Sequence, residues 1–147
     1  MLSQTEQNLS PSTAIDQSPS PLANRAVFNF TGEIAFLITG KVTTAIQAQA
    51  TTVKVSVKSD ALASYDICTT LDINGFVAGT LLTVDGTVAD ALKGVSGVAV
   101  APQGAAIVAA CVTSGQITVT FGAASTGAIE WDIQWWPKNA KGNVVPA

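Results

Sequence analysis

The chain is predicted to be all-β, a single β-sandwich, with the jelly roll as one form it can take and an extended N-terminal arm in front. Three observations carry this. Apolar and polar residues alternate with a period of two through several segments, as half-buried strands require. Turn signals such as Asn74-Gly75 and Asp85-Gly86 recur every eight to twelve residues or so. No stretch of useful length has a helical period, which excludes a βαβ architecture. The expected organisation is an arm over 1–25, a sandwich over 26–138 and a polar tail over 139–147.

The clearest segment is Gln116–Pro137. Ile117, Val119 and Phe121 alternate with Gln116, Thr118 and Thr120. Ile129, Trp131, Ile133 and Trp135 then alternate with Glu130, Asp132, Gln134 and Trp136. The small, glycine-bounded GAASTG between them suits a hairpin loop, so the two strands are expected to pair.

The arm is rich in Ser, Gln, Asn and Thr and carries Pro11, Pro19 and Pro21. Such a composition buries too little apolar surface to offset the entropy of ordering. Two placements are open for it. It lies on a partner, with Leu2, Leu9, Ile15 and Leu22 as anchors, or it folds back on its own domain.

From Ala26 the strands begin. Phe28, Phe30, Ile34, Phe36 and Ile38 alternate, with Thr31-Gly32 allowing a kink and Ala35 and Leu37 making the second face apolar too. Gly40-Lys41 reads as punctuation before a weaker strand in Val42–Ala50. In Thr52–Lys58 the valines point in, and Lys54, Ser56 and Lys58 point out, where the lysines guard an edge. Asp60–Asp66 fits one helical turn capped by Asp60. Strands follow at Ile67–Ile73 and Phe76–Val84, then at Thr87–Leu92, Val98–Ala101 and Ala106–Val112. From Gly94 to Ile129 no residue is charged, so these strands are internal or form a contact surface.

The residues argue against an enzyme. There is no histidine, which removes the usual general base and zinc ligand together. Cys68 and Cys111 are too far apart for a metal cluster and are expected as two buried thiols rather than a disulfide. Asp72-Ile73-Asn74-Gly75 has only the opening of a calcium loop, so its aspartate is expected to form a turn. No cofactor or metal is expected. Trp136 is the residue of interest: alternation puts Trp135 in the core and leaves Trp136 outside, as an interface anchor or as a plug covered by the tail. Sugar stacking ranks behind both.

Charged residues make up only 12% of the chain, about half the usual share. A surface built of Thr, Ser, Ala, Gly and Gln suits contact with another protein. A net charge of −3 without a basic cluster argues against nucleic acid. The longest apolar run, AAIVAACV, falls far short of the roughly 18 residues of a membrane span. The opening MLSQTEQNLSPS lacks the basic start and apolar run of a secretory signal, so cytoplasmic synthesis is expected.

Together with SDALASYDICTTLDINGFVAGTLL and STGAIEWDIQWWPK, this style of chain resembles the small accessory virion proteins of tailed bacteriophages, of the capsid decoration or cement type. The resemblance spans the whole chain in style and rests on no diagnostic motif. It implies a homo-oligomer, often a trimer, on the capsid surface, made in the host cytoplasm and bound to the major capsid protein. The alternative is a receptor- or glycan-binding module of a tail or fibre. A cell-surface adhesin fits less well, because no secretory signal is visible.

Overall fold

The computed structural model describes residues 12–59, 64–84, 92–95, 108–110 and 114–147, which form two antiparallel sheets packed face to face. In chain order the strands are β1 (Ser12–Ser18), β2 (Arg25–Thr31), β3 (Ile34–Thr44), β4 (Thr52–Ser59), β5 (Tyr65–Asp66) and β6 (Leu71–Asp72). They continue as β7 (Leu81–Val84), β8 (Leu92–Val95), β9 (Val108–Ala110), β10 (Ser114–Phe121), β11 (Ala128–Pro137) and β12 (Asn143–Pro146). The first sheet runs β1-β11-β3-β7-β8, with β9 also on β3. The second runs β12-β2-β10-β4-β5, with β6 also on β4. The all-β sandwich read from the alternation is therefore the fold.

The alternation within β10 and β11 is as expected, but the two strands are not a hairpin. β10 lies between β2 and β4, whereas β11 lies between β1 and β3. GAASTG crosses from one sheet to the other. A period of two tells which face of a strand is buried and is silent about its neighbour. A six-residue connection easily spans the roughly 10 Å between packed sheets. Three other segments hold this crossing: the Leu22 amide donates to Ser125 O (2.8 Å), the Thr51 hydroxyl to Ala123 O (2.8 Å) and the Gln47 amide to Thr126 O (3.1 Å).

The kink expected at Thr31-Gly32 is likewise a crossing, since β2 and β3 belong to different sheets. Gly32 has φ +67, and a Cβ there would lie 2.5 Å from the Lys141 carbonyl carbon, so both backbone and packing require glycine. Gly40 does not punctuate at all. It sits inside the 11-residue β3, where a Cβ would meet Trp131 Cζ3 at 2.8 Å. The missing side chain is the space that the indole fills.

Both termini depart from the expected organisation. β1 pairs with β11 along all seven of its residues, and Leu22 is fully buried in the core. The described part of the arm, from Ser12 on, is thus folded back on its own domain. The tail forms β12 against β2, with Val144 buried. In each case the sheet edge offers backbone partners that composition does not reveal. The core between the sheets holds Trp131, Phe28, Phe30, Phe36, Ile117 and Ile133 among others. Trp131 Nε1 donates to the buried Ser18 Oγ at 3.0 Å, which satisfies the polar end of the largest core side chain.

Smaller corrections follow from the same pairing. β4 is not an edge, because β10 flanks it on one side and β5 and β6 on the other. Lys54 accordingly serves as an ion-pair partner of Asp66 rather than a guard. Tyr65–Asp66, expected at the end of a helical turn, is strand. Ile67–Ile73 is not one continuous strand, since only Leu71–Asp72 within it pairs. Asn74-Gly75 does turn, and Asp72 Oδ1 accepts the Asn74 amide at 2.9 Å. Cys68 is a buried free thiol. Leu2, Leu9, Cys111 and the strand expected at Val98–Ala101 lie outside the described residues.

Candidate functional site

The outer face of the first sheet is assembled by register. Residues directly opposite on paired strands share a face, so Ile15, Asp132, Thr39 and Thr83 form one row across β1, β11, β3 and β7. Gln17, Glu130, Lys41 and Leu81 form the next row on one side. Thr13, Gln134 and Leu37 form the row on the other, followed by Trp136 opposite Ala35. Ile15 is exposed, and Ala35, Leu37, Leu81 and Trp136 are half-buried. The face is therefore mixed: five apolar side chains stand among threonines and glutamines, with Lys41 and two carboxylates set into it.

Those carboxylates are served unequally. Glu130 Oε2 accepts from Gln17 Nε2 at 3.0 Å. Asp132 Oδ1 is buried and has no hydrogen-bond donor among the described residues. Burial, reinforced by the charge on Glu130, pushes the Asp132 carboxyl above its usual range. The Thr83 hydroxyl in the same row is also buried and unpartnered among the described residues. A hollow of about 170 Å³ opens here, lined by Thr39, Gly40, Lys41, Leu81, Glu130 and Asp132. That is smaller than the roughly 300–1,000 Å³ of ordinary small-molecule sites. A larger hollow of about 460 Å³ lies at Gly32, Asn139, Ala140 and Lys141, with neither a ring nor a carboxylate in its lining.

The expected contact residues separate sharply. Ile15 and Trp136 share the outer face of the first sheet, on β1 and β11. Leu22 is removed from the set, because a fully buried side chain reaches no partner. Sequence reasoning missed Asp132 as an unusual group. Alternation placed it outside, where carboxylates are normally hydrated, and burial across strands is invisible in one strand's pattern. It also missed Asp16, which faces inward on β1 and binds Arg25 of the opposite sheet at 3.0 Å.

Among the described residues no group of three or more His, Cys, Asp or Glu is placed to hold a metal ion, and no helix is long and apolar enough to cross a membrane. Comparisons with protein-family models, curated proteins and solved structures find no match to this chain.

Proposed function

We propose that this chain is a structural virion protein that decorates and cements a bacteriophage capsid, binding between major capsid protein subunits and associating with copies of itself. The observation that carries the reading is the outer face of the first sheet. Half-buried Leu37, Leu81 and Trp136, spread among polar side chains around the buried and unpartnered Asp132 Oδ1, suit a protein surface that completes its hydrogen bonds. The scarcity of charge points the same way.

The strand order adds support. Eight of the twelve strands, ordered β1-β11-β3-β7 in one sheet and β2-β10-β4-β5 in the other, support the proposal that the sandwich is a jelly roll, an architecture of viral capsid and lectin domains. Fold alone does not assign the task. Cementing works by multivalency: several modest contacts on neighbouring subunits act together at high effective concentration.

Electron microscopy of the particle that co-purifies with the chain, with co-sedimentation of purified protein on particles lacking it, tests the reading. Wild-type protein is expected to sediment with the shell, and Leu37→Asp or Trp136→Ala to weaken attachment at least tenfold. A wild-type protein that stays in the supernatant refutes the proposal.

The half-buried Trp136 on the outer face favours a second reading, a receptor- or glycan-binding module of a tail or fibre in which this ring stacks on a sugar. Trp131 and Trp135 are buried, so a fluorescence change on adding oligosaccharide would report on Trp136. No change across a panel of oligosaccharides removes that reading.

A further inference from the structure

We propose that β1 is a self-recognition edge, which pairs antiparallel with the same strand of a second copy of this chain about a two-fold axis at Ile15. β11 occupies one side of β1 along its whole length, and no strand among the described residues occupies the other. An uncovered strand edge offers amides and carbonyls to any strand that fits, unless charge or proline blocks it. From Ser12 to Ser18 there is neither lysine nor proline. Thr13, Ile15 and Gln17 point outward, and Ile15 is 51% exposed. The one charge, Asp16, faces the interior of the sandwich, where Arg25 Nη2 neutralises it at 3.0 Å.

A second copy is the occupant these residues favour. Ile15 is the middle residue of the seven, so a two-fold axis there sets it opposite the partner's Ile15. Thr13 then faces the partner's Gln17, and Asp16 faces the partner's Ala14. Moving the axis to Asp16 would set two aspartates opposite one another and leave each isoleucine facing glutamine. Moving it to Ala14 would pair isoleucine with threonine and lose the apolar contact. Charge and apolar match therefore select one register. The Gln17 amide already donates to Asp16 Oδ1 at 2.7 Å, so the pair gains less at its two equivalent ends than at its centre. Such an interface is isologous and closes at two copies, unlike the threefold arrangement that the phage resemblance implies. It stands independently of the capsid reading.

Sedimentation velocity of the full chain across a concentration series tests this, together with cysteine cross-linking under mild oxidation. Wild-type protein is expected to dimerise. Ile15→Lys is expected to move half-dimerisation to at least tenfold higher concentration with an unchanged melting curve. Ile15→Cys is expected to give a covalent dimer, and so is a mixture of Thr13→Cys with Gln17→Cys. Val77→Cys, equally exposed at 52% but far along the chain, is expected to give none. A monomer at every concentration overturns the proposal, even one that captures a strand of another protein. So does a dimer indifferent to Ile15→Lys, or Thr13→Cys cross-linking to itself as readily as Ile15→Cys. Should Ile15→Lys fail to fold, the cysteine variants decide alone.

Discussion

The two sheets share one core and turn opposite characters outward. On the second sheet, polar side chains satisfy one another: Lys54 and the Ser56 hydroxyl both bind Asp66, at 2.8 and 2.6 Å, and Gln116 Nε2 donates to Asn29 Oδ1 at 3.0 Å. The Thr118 hydroxyl reaches Ser56 O at 3.4 Å. On the first sheet, polar and apolar side chains mix around Glu130 and Asp132, and the buried oxygens of Asp132 and Thr83 lack partners among the described residues. A face that closes its own hydrogen bonds gains little from further contact. A face with polar atoms buried and unpaired gains from any surface that supplies donors, since each such atom costs roughly 1–3 kcal/mol. The proposed contact surface accordingly lies on the first sheet.

The largest perturbation removes the support common to both faces. Trp131→Ala is expected to cost about 3–5 kcal/mol, as large-to-small core changes do, and to leave Ser18 without its indole donor. Chemical denaturation measures it, and a loss under 1 kcal/mol would show that the indole does not anchor the core. Gly40→Val acts from beneath the first face alone, forcing the Trp131 ring aside at a cost of about 1–3 kcal/mol. Its thermal midpoint should fall by several degrees, while Thr118→Val on the second sheet should barely move it.

The half-buried Asp132 and the exposed Asp66 give effects of opposite sign. Asp132 has its carboxyl pushed up by burial, so folding carries a cost above that raised value which disappears as pH falls to the usual carboxylate range. Asp132→Asn is therefore expected to raise the midpoint slightly at pH 7 and to match wild type in acid. Asp66 is held below its usual range by hydrogen bonds from Lys54 and Ser56. Its contribution is present above the usual carboxylate value and lost as pH falls through the lowered one. Asp66→Asn is expected to destabilise by at most about 1 kcal/mol at neutral pH, as exposed ion pairs do. Two aspartate-to-asparagine changes with the same sign would erase the contrast between the faces.

Much of this was legible in the sequence, and the limits have physical causes. Alternation placed Ile117, Val119, Trp131 and Trp135 inside and Trp136 outside, because side-chain direction is a local property of a strand. It failed on which strand lies beside which. The pairing of β10 with β2 and β4, and of β11 with β1 and β3, depends on loops that cross between sheets. Composition read Ser12–Ser18 and Asn143–Pro146 as an arm and a tail, yet edge strands held by backbone hydrogen bonds need little apolar content. Trp136 and Ile15 were found as candidate contact residues. Asp132 was not, because its desolvation arises from neighbours on other strands.

The partnership of β1 with β11 also governs when the protein can fold. Ser12 meets Trp135 near opposite ends of the chain, and β11 stands between β1 and β3. A nascent polypeptide halted at Gly127 has every residue of those two flanking strands and nothing to join them. β1 cannot join the first sheet until β11 has been made, whereas β3, β7, β8 and β9 need not wait for it. Such distant pairings slow folding and leave early strands uncovered in the interim.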